Sequence, residues 1–119
     1  GFFVQKEDPI TLDTSEPEPD LALIEGDWRL VTKPKTARIV IEVAITSLTE
    51  DRAKTAGFAR AGIPEFWIVR PESGETEIYR EPEEGTYKVK ETVDADKTIH
   101  STALPEFRFC LAELLKQPG

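Results

Sequence analysis

Asp20, Glu42 and Lys54 are the residues whose types and spacing could do chemistry. Asp20 closes the run Ser15-Glu16-Pro17-Glu18-Pro19-Asp20, Glu42 lies inside Ile39-Val40-Ile41-Glu42-Val43, and Lys54 falls in a segment patterned as a helix. Two carboxylates and a lysine on consecutive elements form a compact device for holding a divalent cation beside a phosphate. Phosphodiester hydrolysis needs an activated water, neutralisation of charge around phosphorus, and help for the leaving oxygen. A hard cation held through carboxylate oxygens supplies much of all three. Asp20 and Glu42 are the expected ligands, joined by the backbone carbonyl of Val43, and the expected ion is Mg2+ or Mn2+. Lys54 would orient or deprotonate the water, or stabilise developing negative charge as a fixed cation.

Glu42 is the decisive member. Ile39, Val40, Ile41 and Val43 surround it, and such a strand normally lies inside a sheet. A carboxylate buried there costs several kcal/mol, roughly, unless it is paired, protonated or bound to a metal. Its plain alternative is an edge strand or a sheet face open to solvent, in which case Glu42→Val would stabilise the protein and change nothing else. The plain alternative for Asp20, after a proline at a strand start, is a turn or cap. For Lys54 it is a solvated helix lysine paired with Glu50 at i,i+4, contributing about 0.3–0.5 kcal/mol.

Three elements must position these residues. Glu16-Pro17-Glu18-Pro19 cannot be helical, because each proline fixes φ and biases its predecessor to extended geometry. This stiff approach delivers Asp20 to a strand at Leu21-Ala22-Leu23-Ile24, and Ile39 to Ala44 is the second core strand. A helix is expected over about 48–61. Ser47 and Glu50 form its capping box, Gly62 ends it in the left-handed C′ position, and Pro64 forbids continuation. Asp51, Lys54 and Phe58 stand at i, i+3 and i+7 and share one face, and several alanines keep the helix narrow.

Elsewhere, Phe2 to Gln5 and Ile10 to Leu12 read as short strands, and residues 25–37 as a charged loop anchored by Trp28. Phe66-Trp67-Ile68-Val69 is a buried strand. Glu77 to Arg80 and Thr86 to Lys90 alternate as a half-exposed hairpin through Glu83-Glu84-Gly85. Short extended pieces near Thr98-Ile99 and Phe107 precede a terminal helix around Phe109 to Leu115. The sum is an α+β fold with an α/β-like core, a mixed sheet with the 48–61 helix on one face, in one domain spanning 1–119.

Composition narrows the classes. Apolar residues make up 39% and charged ones 32%, enough for a core, and no apolar stretch approaches the roughly 20 residues of a membrane span. No basic n-region precedes an apolar h-region, so a cytoplasmic location is expected. A formal charge of −8 repels a polyanion, so any DNA contact must be local, metal-assisted or helped by a further subunit. Cys110 is the single cysteine and is expected as a buried thiol, while His100 has no second histidine with which to hold zinc. The chain lacks methionine and opens directly on a strand-like Gly1-Phe2-Phe3-Val4-Gln5, so an N-terminally truncated fragment is expected.

Nearly the whole chain resembles the Uma-type restriction endonucleases, a bacterial family of the PD-(D/E)XK nuclease superfamily. The resemblance is carried by Ser15 to Asp20, Ile41-Glu42-Val43 with Thr46-Ser47-Leu48, Asp51-Arg52 and Lys54. Most distinctive is Ala59-Arg60-Ala61-Gly62-Ile63-Pro64-Glu65-Phe66-Trp67-Ile68-Val69. It implies a restriction-endonuclease-like fold, with Asp20 as the motif aspartate and Glu42 as the (D/E). The superfamily's x-K position falls on Ala44, so the resemblance moves the lysine's role to Lys54. Phe58 stands where the family usually has tyrosine, Arg70 where aspartate is common, and Ile45 where a polar residue is usual. Related proteins look longer, with an N-terminal helical segment over the sheet. The resulting expectation is a divalent-metal-dependent endonuclease acting on DNA, possible as a homodimer. The alternative is an inactive nuclease-fold interaction or accessory protein, and specific affinity for Mg2+ or Mn2+ separates the two.

Overall fold

Branched aliphatic residues flank Glu42 on both sides, and they form a strand because their χ1 restriction suits a pleated, packed surface. The computed structural model describes residues 1–13, 15–45 and 48–116. In chain order it contains β1 (Phe2–Lys6), β2 (Leu21–Glu25), β3 (Ile39–Val43), α1 (Leu48–Ala53), α2 (Thr55–Arg60), β4 (Glu65–Arg70), β5 (Glu75–Glu83), β6 (Thr86–Asp94), β7 (Ile99–His100), β8 (Arg108–Phe109) and α3 (Leu111–Lys116). Strands β1 to β6 form a six-stranded sheet in sequential order, and β7 and β8 pair separately. Every neighbouring pair of the large sheet is antiparallel except β3 and β4, which run parallel. A parallel pair needs a crossover, and the connection through α1 and α2 supplies it. The fold is α+β with a mixed sheet, as the sequence predicts.

Both faces of the sheet are covered, which is why β3 and β4 read as continuous apolar runs. One face carries Ala22, Ile24, Val40, Phe66, Ile68 and Tyr79 and packs on Phe58 and Ile63 of the α2 region and on Ile10. The other carries Leu23, Ile39, Ile41, Trp67, Val69 and Ile78 and packs on Ile99, Leu104 and Leu111. Among the described residues no helix is long and apolar enough to cross a membrane.

The helical segment ends as expected but does not run unbroken. Gly62 has φ +75°, the Gly62 amide donates to the Ala59 carbonyl, and Ile63 donates to Phe58. This is a Schellman closure, and Phe58 and Ile63 make its apolar contact. The single helix expected over 48–61 is instead two short ones that meet at Lys54. There the Lys54 amide donates to the Asp51 carbonyl, a three-residue turn that tightens the chain and interrupts the α ladder. The expected capping box includes Ser47, which lies outside the described residues.

Other expectations need correction. Ile10–Leu12 is not a strand: the amides of Ile10 and Thr11 donate to the carbonyls of Pro17 and Pro34, so a loop anchored by buried Ile10, not a ladder, satisfies them. Trp28 does not anchor its loop, being 67% exposed. Ala44 lies just beyond β3. Cys110 is half-buried and its thiol faces the Ala95 carbonyl. The hairpin strands run longer than read, and Glu84 and Gly85 at its tip both have positive φ, at 51° and 80°. That pair is the type I′ turn that matches strand twist.

Glu65 was read only as part of a motif, yet it is 1% exposed and organises the second face. Its Oε2 accepts from the Ser101 hydroxyl, from the Thr102 hydroxyl and amide, and from the Ala103 amide. Its Oε1 accepts from the Trp67 indole and from Arg80. Burial alone would raise its pKa, but the Ala103 amide, Ser101, Trp67 and Arg80 together hold it below the ordinary 4.5. A carboxylate with a lowered folded pKa contributes stability above its unfolded pKa and loses it as pH falls through the folded value. Glu65→Gln should therefore cost about 1–3 kcal/mol at neutral pH. The variant should also lose less stability than the wild type below pH 4.5. Urea titrations across acid pH check this, and parallel pH curves for the two proteins would contradict it.

Candidate active site

The chain leaves its proline-rich approach at Asp20 and enters β2, which pairs antiparallel with β3 so that Leu21 faces Ile41. Asp20 therefore stands beside Glu42, one step beyond the last ladder pair. The two residues bond reciprocally: the Asp20 amide donates to Glu42 Oε1 at 2.7 Å, and Asp20 Oδ2 accepts from the Val43 amide at 2.7 Å. The turn or cap reading of Asp20 is thus partly right, since its carboxylate continues the ladder where the backbone stops. It also places the Asp20 carboxylate next to Val43, the residue whose carbonyl the sequence nominated.

Glu42 is 2% exposed on a strand with neighbours on both sides, so neither an edge strand nor an open face accounts for it. Lys54 Nζ reaches Glu42 Oε2 at 2.5 Å and Asp51 Oδ1 at 3.2 Å. The alternative pairing with Glu50 is not among its ion pairs. Lys54 itself is 46% exposed, so the cluster is dry on the carboxylate side and wet on the lysine side. Partial burial works against the Lys54 charge, but Glu42 and then Asp51 outweigh it and raise its pKa above 10.5. The amine is therefore held protonated at neutral pH.

The structure thus brings Asp20, Glu42, Val43 and Lys54 together, and adds Asp51, which is buried in the first turn of α1. Three carboxylates against one lysine leave an excess of negative charge. Among the described residues no three acidic, histidine or cysteine side chains converge at metal-binding range. The donors at hand are hard oxygens from two adjacent carboxylates, with the lysine side open to solvent. That set fits a small hard cation that keeps waters and takes substrate phosphate oxygens, rather than an all-protein cage.

A second buried carboxylate was missed. Glu42 is in register with Ile68, and Ile68 with Glu77, so Glu77 lies on the same sheet face as Glu42, two strands away. Glu77 is buried, forms a very short ion pair with Arg52 of α1, lies 3.6 Å from Arg70, and accepts from the Tyr79 hydroxyl at 2.7 Å. Burial raises its pKa, but Arg52 and Tyr79 lower it further, giving a net depression. Burial and then Glu77 push Tyr79 up to about 12, so its proton stays in place. Helix α1 is consequently tied to the sheet twice, by Arg52 to β5 and through Lys54 to β3. The only signal in the sequence was the pair Asp51-Arg52, whose partners were not identifiable. Phe58 packs on Phe66 with ring centroids 5.0 Å apart and, as the sequence implies, brings no hydroxyl to the site.

A family model described as "Uma2: Putative restriction endonuclease" matches residues 1–113. No curated protein matches the chain. Among solved structures, the fold is similar to that in "Crystal structure of a putative nuclease belonging to DUF820 from Anabaena variabilis ATCC 29413", with a TM-score of 0.72 and 16% identity. The alignment covers 95% of this chain and 67% of that one. At that identity the likeness concerns the fold.

Proposed function

Because the chain belongs to the Uma2 restriction endonuclease family, we propose that it is a divalent-metal-dependent nuclease hydrolysing DNA phosphodiester bonds, with Asp20, Glu42 and Lys54 at its centre. The observation that carries this reading is the Asp20–Glu42–Lys54 cluster itself, assembled from three separate elements around a buried carboxylate in a covered strand. Asp20 and Glu42, with the Val43 carbonyl, would hold Mg2+ or Mn2+. When bound, the cation supplies Lewis acidity at the phosphate and acidifies water.

The chain's own residues do the rest. Glu42 lies at the floor of the site, fixed by the Asp20 amide, so its carboxylate is oriented before any ligand arrives. Lys54 approaches from the solvent side, where a phosphate would enter. Its raised pKa supports the role of a fixed cation that stabilises developing negative charge, rather than that of a general base. A protonated amine held at 2.5 Å from Glu42 also competes with any cation for that carboxylate.

The test of the reading is cleavage of plasmid and single-stranded DNA in Mg2+ or Mn2+, against an EDTA control. Cleavage that persists in EDTA would refute metal dependence. Lys54→Met should move two readouts in opposite directions. Removing the competing ammonium should strengthen Mn2+ binding by calorimetry, while cleavage falls by about 10²–10³-fold, as for loss of one charge-stabilising donor. A variant that loses both together would show that Lys54 builds the ion site instead of acting on substrate.

A second reading has one observation behind it. Both Glu42 oxygens and one of Asp20 are satisfied by protein donors, so the cluster is also complete as a structural lock. An accessory protein that kept the nuclease fold would show no specific affinity for Mg2+ or Mn2+.

A further inference from the structure

We propose that the cleft between α2 and the loop residues Leu12, Asp13 and Ser15 seats a single polynucleotide strand, with Arg60 and Lys35 holding phosphates beyond the one at Lys54. The inference rests on the nuclease reading and extends it to the path of the substrate. The cleft has a volume of about 530 Å3 and includes Lys35, Gly57 and Arg60 in its lining. A smaller hollow of about 190 Å3 shares Leu12, Ser15 and Gly57 with it and reaches Lys54 and Phe58. Side by side on these shared residues, the two hollows run from Lys54 at one end to the exposed Arg60 and Lys35 at the other.

Arg29, Arg38, Arg52, Arg70 and Arg80 pair with carboxylates, whereas among the described residues Arg60, like Arg108, and Lys35, like Lys6, Lys33, Lys90 and Lys97, make no ion pair, and Arg60 and Lys35 line the same cleft. On a chain of net charge −8, unpaired cations gathered at one groove make a local positive feature that a polyanion can find. Asp13 is the one acid lining the groove, leaving the lysine and arginine in excess. The Arg60 stem lies near the β5–β6 turn, where a Cβ on Gly85 would stand 3.8 Å from Arg60 Cγ.

Size selects a strand over a duplex. A volume of this order takes one small-molecule-sized unit, such as a nucleotide, and a paired duplex cannot enter it. Arg60 follows Lys54 by six positions, roughly 9 Å along a helical axis. The arginine is thus placed to meet a phosphate close along the strand to the one at Lys54. Gly57 lies on the groove between them, with no side chain to block the path.

The test is binding of a fluorescein-labelled single-stranded oligodeoxynucleotide, in EDTA, to the whole chain and to Lys35→Gln/Arg60→Gln, with Arg60→Glu as a second variant. Both sites are on the surface, and superimposable thermal melts verify the fold. The slope of log K against log salt should fall by about 1.4 in the double variant, about 0.7 for each phosphate contact on a single strand. In Mg2+, its KM for single-stranded DNA should rise with kcat held. Unchanged slope and affinity in both variants would overturn the cleft assignment and leave the nuclease reading intact if the wild type still cleaves. An equal loss of affinity for the matching duplex would overturn the single-strand assignment. A reduced slope without wild-type cleavage in Mg2+ or Mn2+ would uphold the cleft and overturn the nuclease reading. Wild-type protein that binds no DNA would overturn both.

Discussion

Glu42→Gln is expected to abolish specific Mn2+ binding and to lower DNA cleavage by at least about a hundredfold, while the protein still folds. The amide keeps the size of the carboxylate and an oxygen to accept from the Asp20 amide, so the floor of the site stays packed. What it loses is the negative charge, and with it the ion pair to Lys54 and the hard anionic donor a cation needs. Stability should fall by about 1–3 kcal/mol, the range for a charge-assisted hydrogen bond. Lys54 softens the loss, since it retains Asp51 and solvent. Calorimetry with Mn2+, plasmid cleavage and urea unfolding, run on the same preparations, check the three parts separately. Equal cleavage by both proteins would place the activity at another site or in a contaminant. Glu42→Val extends the comparison: it strands the Asp20 amide and should destabilise, against the gain expected had Glu42 stood on an open face.

The largest effect on stability is expected at Trp67, not at the site. Trp67 is fully buried on β4 and packs on Phe107 and Phe109, with ring centroids 5.6 and 6.3 Å away. Its indole N–H also donates to Glu65 Oε1 at 2.9 Å. Trp67→Ala removes the largest side chain of that face and one donor to a buried carboxylate, so a loss of about 3–5 kcal/mol is expected. Trp67→Phe keeps most of the volume but not the donor and should cost less, about 1–3 kcal/mol. Equilibrium unfolding in urea separates the two terms. A phenylalanine variant as unstable as the alanine one would mean that the hydrogen bond to Glu65, rather than packing, carries the effect.

The contrast between Glu42, Glu65 and Glu77 shows how much of the site was legible. All three are buried carboxylates on β-strands. Glu42 stood out because every neighbour is a branched aliphatic, and in a run that normally lies inside a sheet a carboxylate needs a reason. Glu77 sits in Glu75-Thr76-Glu77-Ile78-Tyr79-Arg80, where polar residues alternate with apolar ones and a solvent-facing glutamate is the ordinary reading. Its burial follows from α1 lying over that face and from Arg52, 25 residues earlier. Glu65 opens β4 after a proline and a turn, and its partners Ser101, Thr102 and Ala103 are a loop 36 to 38 residues later. Neither pairing has any local pattern.

The sequence by itself determined the strands β2, β3 and β4, the glycine stop at Gly62, the α+β class and the family, and it singled out Asp20, Glu42 and Lys54 as candidates. These are local matters: χ1 stiffness makes strands, a missing Cβ permits positive φ, and proline removes a donor. Tertiary structure alone decided that α1 and α2 break at Lys54, that Ile10–Leu12 forms a loop anchored by buried Ile10, and that Trp28 stays in solvent. It also decided that Lys54 turns from Glu50 to Glu42 and Asp51. An exposed i,i+4 pair offers little and is screened by water, whereas leaving Glu42 buried without a cation is costly. The lysine therefore goes where the uncompensated charge is, and only the packing of α1 on the sheet puts that charge within its reach.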